Sequence, residues 1–452
     1  MDSDLPDIQI SDVVMSTAGR DQGEWFYVID ADPVYLFLAN GKDRTIEKPK
    51  RKKRKHTKKV LRSETRVAGK ILSGDGALEH IPHELAGLGS RRPLLLSDEG
   101  LVKAGAVALV KGAVAQGGGA FAAEFCRIPA DSSILVVNEI AALYREAGCD
   151  GLVAVGGGSV IDTAKGVRMV LAQGSGDLLQ NAGCEVLPRG EQAPFVAVPT
   201  TSGTGSEATL VAVVANPEAH VKMEFISYYL LPDAAVLDPR MTATLPPRIT
   251  ASTGMDTLCH AIEAASCLQR NPVSDAFAEK AIGLVSANLM RAVEKGGDKA
   301  ARLAMANASL LAGAAFSNSM VGLVHAIGHA LGGVCRLAHG DAMNILLPTV
   351  MEYNLEKCEA RYGELLLPLA GPTEYASTPA PQRAKTAICR VRALQAALNE
   401  ACGLPMTLSA TGRVRREDFE AVAQRALNDG AMIVNPRQAD LENVLELLER
   451  VW

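Results

Sequence analysis

Between residues 67 and 248, short apolar runs alternate with Ala- and Leu-rich helical stretches, and after "TLPPRIT" (244–250) the strand signals largely stop. No other feature constrains the fold as much. "RPLLLSD" precedes a helical stretch from about Leu101, "GLVAV" precedes one from about Val160, and "PFVAVPT" runs into a Gly/Thr/Ser-rich turn. Strands alternating with helices imply βαβ units and a parallel sheet. Residues 249–452 carry long helical patterns, broken by stretches such as "AGPTEYASTPAP", and read as an all-helical unit. The expected fold class is α/β plus all-α. Aromatic residues make up only 4% of the chain, so both cores must be built from Ala, Val, Leu and Ile.

Residues 1–62 read differently, as a small β module. "EWFYVID" is one strand candidate, preceded by a tight "GRDQG" loop from Gly19 to Gly23. "VYLFLA" and "KDRTIE" flank Asn40-Gly41, a strong hairpin signal. Then "KPKRKKRKHTKKVLR" (48–62) carries ten Lys or Arg and no acid, while the whole chain has a net charge of −5. The rest of the chain is therefore strongly acidic. A basic run of this kind is either a solvated linker between modules or a surface that attracts phosphates.

Nine cysteines are scattered without a CxxC pair, which suits reduced thiols in the cytoplasm. The opening "MDSDLPDIQ" is acidic and polar, unlike a signal peptide. No uninterrupted apolar run reaches membrane-spanning length, so no membrane partner is expected.

Two loops carry the signature of nucleotide binding. In "GLVAVGGGSVIDTAKG" an apolar strand runs into Gly156, Gly157, Gly158 and Ser159, and a helix that includes Asp162 follows. Backbone without Cβ atoms can approach a diphosphate closely, and free N–H groups at the helix start point at it. The pattern is not GxGxxG, and by itself it also describes a tight strand–helix turn. "VPTTSGTGSEAT" again follows a strand and offers Thr200, Thr201 and Thr204. Two such loops at strand ends suit a dinucleotide lying across the sheet edge. Asp98, closing "PLLLSD", has two readings. It accepts hydrogen bonds from the adenosine ribose, favouring NAD over NADP, or it caps the helix that follows.

Three of the eight histidines fall in "VHAIGHALGGVCRLAH" (324–339). His325 and His329 stand at i, i+4, as do Asp256 and His260 in "TGMDTLCHAIEA", so each pair shares a helical face. In one unbroken helix His339 would lie about 21 Å from His325. The chain must break between them, and Gly332-Gly333 is the expected place. Spacing leaves two ligand sets open: Asp256, His260 and His325 with His329, or the same three with His339.

"GGGSVIDTAK", "PTTSGTGSE", "TGMDTLCHAIEA" and "VHAIGHALGGVCRLAHG" together resemble, in order and spacing, the signatures of the iron-containing (group III) alcohol dehydrogenases. The likeness covers about residues 67–452. "LLPDAAVLDP" and "LNDGAMIVNPR" look like that family too. The resemblance implies a dehydroquinate-synthase-like architecture, with a dinucleotide-binding domain at 67–248 and a helical metal-binding catalytic domain at 249–452. It implies the metal ligands Asp256, His260, His325 and His339, and leaves His329 near the nicotinamide, where it is a candidate proton relay or an orienting core residue. It places Lys222 near the cofactor ribose and matches Asp98 to an acid that favours NAD. One departure is Ala338, where the family has Pro before the last ligand. The implied cofactors are NAD and Fe(2+), with Zn(2+) compatible with the same donors.

In the implied mechanism the metal polarises the substrate oxygen, and hydride passes between the carbinol carbon and the nicotinamide. The substrate would be a small alcohol, diol or aldehyde, and the enzyme a homo-oligomer, dimeric or larger. A polyol (glycerol-type) dehydrogenase is one alternative. A sugar-phosphate lyase of the wider superfamily would need a basic pocket, and no Lys/Arg cluster stands near the metal motifs in the sequence. Residues about 10–62 resemble a KOW-type, SH3-like barrel, through "VVMSTAGRDQG", "LANGKDRTIEKPK" and "KKRKH". That resemblance implies RNA as a partner of residues 1–62. It also raises the reading of an RNA-binding protein whose dehydrogenase-like body is inactive.

Overall fold

The computed structural model describes residues 13–16, 18, 20, 25–31, 35–39, 50–53, 57–59, 69–182, 189–218 and 221–452. Five antiparallel strands come first: β1 (Val13–Ser16), β2 (Trp25–Ala31), β3 (Tyr35–Ala39), β4 (Lys50–Lys53) and β5 (Thr57–Lys59). Their spatial order is β4-β3-β2-β1-β5. The hairpin expected at Asn40-Gly41 and the "KDRTIE" strand lie outside the described residues. The strand that pairs with β3 comes instead from the basic run, with Leu36 opposite Lys52. Lys50–Lys53 is therefore no linker. Lys52 is buried and donates to the Ala18 carbonyl at 2.6 Å. Arg51 sits over the Tyr35 ring at 3.8 Å. A strand alternates its faces, so a run of four cations can bury one side chain and expose its neighbours.

Next come β6 (Lys70–Ser73), α1 (Ile81–Gly87), β7 (Pro93–Leu96), α2 (Glu99–Lys103), α3 (Ala106–Gln116), β8 (Ala123–Phe125), α4 (Ile134–Glu146), β9 (Gly151–Gly156), α5 (Gly158–Ala172), β10 (Phe195–Pro199), β11 (Val211–Asn216), β12 (Val221–Ile226) and β13 (Ala234–Leu237). Six of these strands form one parallel sheet, ordered β6-β13-β10-β9-β7-β8. Alternate side chains of β9 feed two different cores. Leu152 and Ala154 pack with Val137 and Ile161, and Val153 and Val155 pack with Ile81 and Val110. Each fully buried Val or Leu contributes about 1.5–3 kcal/mol, which is why the strand has no polar face. The order in which strands are added reverses between the parallel neighbours β7 and β9, since β7 leads outward to β8 and β9 leads the other way to β10. The crevice outside the carboxyl ends of these two strands is the topological switch point of the sheet. β11 and β12 form a separate antiparallel hairpin.

From Pro247 the described chain is helical: α6 (Pro247–Ser266), α7 (Pro272–Glu294), α8 (Lys299–Ser317), α9 (Leu323–Cys335), α10 (His339–Ala370), α11 (Pro372–Ser377), α12 (Arg383–Cys402), α13 (Phe419–Ala426) and α14 (Leu441–Arg450). Small side chains let these helices approach closely, and Ala251, Ala261, Ala278, Ala281 and Ala308 are all fully buried in one core. The second glycine loop docks directly onto this layer. Gly205 has φ 61°, and a Cβ there would lie 2.6 Å from the Ser309 carbonyl oxygen and 2.7 Å from Gly313 Cα. Only glycine satisfies both the left-handed backbone and the contact. No helix among the described residues is long and apolar enough to cross a membrane.

Candidate active site

Asp256 and His260 occupy successive turns of α6, His325 lies in the first turn of α9, and His339 begins α10. One donor atom from each of the four lies within 4.8 Å of the others. Asp256 Oδ1 is 3.7 Å from His260 Nδ1, 3.9 Å from His325 Nε2 and 3.3 Å from His339 Nε2. The gathering needs the chain to break between His325 and His339, as expected, but the break falls elsewhere. The helix runs straight through Gly332-Gly333 and stops at Arg336, whose φ of 55° is left-handed. Ala338 then adopts φ −61°, ψ 132° and starts the next helix.

Asp256 Oδ1, His260 Nδ1 and His325 Nε2 are buried without a hydrogen-bond partner. An unpaired buried polar atom costs about 1–3 kcal/mol. Three of them converging on one point fit a shared cation, and a carboxylate with three imidazoles is a donor set for Fe(II) or Zn(II). Electrostatics agree with that reading. Burial pushes His260 down to about 3 and His325 well below its ordinary range, so both present neutral rings with free lone pairs. Burial alone would raise Asp256, but the neighbouring imidazoles, His260 foremost, hold it below the usual carboxylate range.

Two acids behind the histidines escaped the sequence reading. Glu263 Oε2 accepts from His325 Nδ1 at 2.5 Å, and its Oε1 accepts from the Val324 backbone N–H at 2.7 Å. This fixes the His325 ring so that Nε2 faces Asp256, a carboxylate–histidine arrangement typical behind metal ligands. The signal was present in "CHAIEA", where Glu263 follows His260 by three positions on the same helix. Asp429 Oδ2 pairs with His329 Nδ1 at 2.8 Å. Burial opposes a charge on His329, but Asp429, by charge and hydrogen bond, with Glu224 further out, pushes the imidazole up to about 9. His329 is thus held by a carboxylate, while its ring lies 5.5 Å from that of His339.

The two glycine loops form one packed unit beside the switch point. A Cβ on Gly156 would lie 2.4 Å from that of Val160, one on Gly157 3.2 Å from Thr201 Oγ1, and one on Gly158 2.8 Å from Thr204 Cγ2. The glycines therefore answer first to the protein's own packing, with Thr201 and Thr204 filling the space. Thr200 is buried and its N–H donates to the Gly156 carbonyl at 3.1 Å. Asp162 also has partners within the protein. Its Oδ1 accepts from Ser206 Oγ at 2.5 Å and its Oδ2 from the Val213 N–H at 3.1 Å. Both oxygens are committed to tying α5 to the second loop and to β11.

Asp98 does cap α2, accepting from the Leu101 N–H at 2.9 Å through Oδ1. Ser159 and Lys222 meet through a residue the sequence reading missed, Asp131. Its N–H donates to Ser159 Oγ at 3.3 Å, and its Oδ1 receives Lys222 Nζ at 2.5 Å. Asp131 has φ 54°, a conformation with no clear mark in "PADSS". The loop and metal layers are joined by Thr257, the neighbour of Asp256, which donates to the Ser202 carbonyl at 3.0 Å. The expectation of no basic cluster near the metal motifs is corrected. Arg248, Arg336 and Arg413 line one cavity beside the turn that carries His339. Folding brings them together from positions 77 to 165 residues apart, which hides them in the sequence.

Comparison with known proteins agrees with this architecture. Residues 68–239 match the model of the family described as iron-containing alcohol dehydrogenase, and residues 250–452 match that of the Fe-containing alcohol dehydrogenase family, C-terminal. The 1,3-propanediol dehydrogenase of Klebsiella pneumoniae is 37% identical over 383 residues, covering 84% of this chain and 96% of that protein. The NAD-dependent methanol dehydrogenase of Bacillus methanolicus is 34% identical over 377 residues, covering 83% and 96%. A solved structure of 1,3-propanediol oxidoreductase superposes with a TM-score of 0.81 at 35% identity, covering 86% of this chain and 99% of that one. The chain belongs to the iron-containing alcohol dehydrogenase family and is an alcohol oxidoreductase of that family.

Proposed function

We propose that the chain interconverts a small primary or secondary alcohol, or a diol, with its aldehyde or ketone, using NAD(H) and a divalent metal held by Asp256, His260, His325 and His339. The observation that carries this reading is the convergence of unpaired buried donor atoms on one point, in a helix tied to the nucleotide loop through Thr257. When bound, the metal supplies Lewis acidity to the substrate oxygen and the nicotinamide supplies or accepts the hydride. Iron is favoured by the family, and Zn(2+) suits the same donors.

The chain's own residues do the rest. Glu263 orients His325. Asp429 holds the Nδ1 proton of His329, which leaves Nε2 to exchange a proton with the substrate side. Gly156–Ser159 and Thr200–Thr204 cradle the dinucleotide at the switch point, with Asp98 toward its adenosine end and Lys222 toward the nicotinamide ribose. Asp162 positions these loops from behind. A diol is supported by the propanediol-acting relatives. A homo-oligomer in the cytoplasm completes the reading, in keeping with the eight described cysteines, all free.

The test is NADH consumption with short aldehydes and ketones by anaerobically purified protein. It is compared as isolated, after chelation, and after refilling with Fe(II) or Zn(II). Activity lost on chelation and restored by one metal supports the reading and identifies the metal. No turnover under any refill sinks it.

A second reading concerns residues 1–62. A strand that exposes Arg51 and Lys53 while burying Lys52 supports an RNA-binding KOW-like module with a cationic face. Truncation at about Ser63 separates the activities. RNA retention by residues 1–62 alone, with dehydrogenase activity in the remainder, is the expected outcome. RNA binding by the module with a catalytically silent body would favour the inactive-scaffold alternative.

A further inference from the structure

A cavity of about 330 Å³ lies beside the turn that carries His339, lined in part by Arg248, Arg336, Ala338, Asp341, Thr411 and Arg413. It shares no lining residue with the metal cluster or the nucleotide loops. Its charge is unbalanced. Arg248 is committed to Asp341, donating to Oδ1 at 2.9 Å and to Oδ2 at 2.8 Å, and Ser252 Oγ donates to the same carboxylate at 3.2 Å. Thr411 Oγ1 is committed to the Leu408 carbonyl at 2.6 Å. The guanidinium groups of Arg336 and Arg413 make no ion pair or hydrogen bond among the described residues. Their neighbour Arg415 shows the contrast, since it is paired with both Glu417 and Asp418. The acids of this surface thus serve the arginine outside the cavity and leave the two that line it unneutralised.

The backbone adds a second observation. Arg336 ends α9 in the left-handed region, at φ 55°, where glycine is the low-strain residue. An arginine in that position accepts strain and brings a cation to the rim of the cavity. Paired guanidinium forks match the oxygens of a phosphate group, which accepts several charge-assisted hydrogen bonds at once. The volume holds a phosphate with a small organic remainder.

We propose that this cavity is a binding site for a phosphate group, free or as a small phosphomonoester, held by Arg336 and Arg413. The site is independent of the oxidoreductase reading. Its test is the thermal midpoint of the full-chain holoenzyme, titrated with inorganic phosphate against chloride at equal ionic strength. A parallel titration uses phenyl phosphate. The native chain is expected to show a saturable upward shift with phosphate. In the double variant Arg336→Ala, Arg413→Ala the half-saturation weakens by about tenfold or more, the loss expected for charge-assisted hydrogen bonds. Each single variant gives an intermediate loss, and NADH turnover in phosphate-free buffer stays unchanged in Arg413→Ala, which leaves the turn at Arg336 intact. Tighter half-saturation by phenyl phosphate assigns the site to an ester, and tighter half-saturation by inorganic phosphate assigns it to the free ion. The proposal is overturned if phosphate shifts the native midpoint no more than chloride, or if the double variant keeps the same half-saturation, as metal stripping by phosphate would produce. Equal half-saturation by succinate would also overturn it, because the cavity would then select only for negative charge.

Discussion

Glu263 and His325 share a 2.5 Å contact between Oε2 and Nδ1, buried on both sides, which leaves Nε2 of the same ring facing Asp256. Burial raises Glu263 to about 7, and hydrogen bonds from the start of α9 restrain the rise. The pair sets the orientation of the His325 ring. Glu263→Gln keeps the shape and removes the charge, and it is expected to weaken metal affinity by about 10–100-fold. Metal content after dialysis against a graded chelator series checks this. Unchanged retention in Glu263→Gln would show that the carboxylate does not tune the site.

His329 and Asp429 predict a pH profile. The folded pKa is raised to about 9, so the ring keeps its proton through neutral pH and loses it as pH rises through about 9. Carbonyl reduction, which consumes a proton, is expected to fall above that point if His329 relays it. Asp429→Asn removes the charge that opposes burial, so the fall moves to lower pH. The direction follows from the balance at His329, where only the carboxylates favour the charged form. Rates of aldehyde reduction from pH 6 to 10 for both proteins test this, and superimposable profiles would remove His329 from the relay.

Asp98 carries two separable expectations. As the N-cap of α2, its replacement by Ala costs about 1 kcal/mol of stability. As the acid at the switch point, its loss relaxes discrimination against NADP. Denaturant midpoints read the first, and the ratio of kcat/KM for NADH and NADPH reads the second. A stability loss with an unchanged cofactor ratio would leave Asp98 as a cap alone.

The parts of the site that were legible in the sequence are those set by local periodicity. Asp256 with His260, and His325 with His329, declare their shared faces because i, i+4 spacing is helix geometry itself. The first glycine loop declares itself because a strand must turn into a helix there. What stayed open depended on tertiary geometry. Whether His329 or His339 joins the cluster turns on a left-handed Arg336 and on an acid one hundred residues away, Asp429. Asp162 follows the glycines, and only the approach of Ser206 and Val213 shows that its oxygens also tie the loops together. The basic run was ambiguous for a related reason. Nothing local distinguishes a linker from a strand whose partner is β3.

Ala338 stands where the family resemblance expects proline, and its backbone already has the proline shape. Its φ is −61° and ψ 132°, and its N–H makes no backbone hydrogen bond among the described residues. Proline there would remove no hydrogen bond and would restrict the unfolded chain. Ala338→Pro is therefore expected to stabilise the protein by about 0.4–1 kcal/mol. The turn between Arg336 and His339 would also be stiffer, so the metal should leave more slowly to a chelator while equilibrium ligation is kept. Chemical denaturation and the rate of metal loss measure the two effects. A destabilised Ala338→Pro would mean that Leu337 cannot adopt the extended backbone that a following proline demands. The alanine would then be an adaptation of this turn rather than a neutral departure.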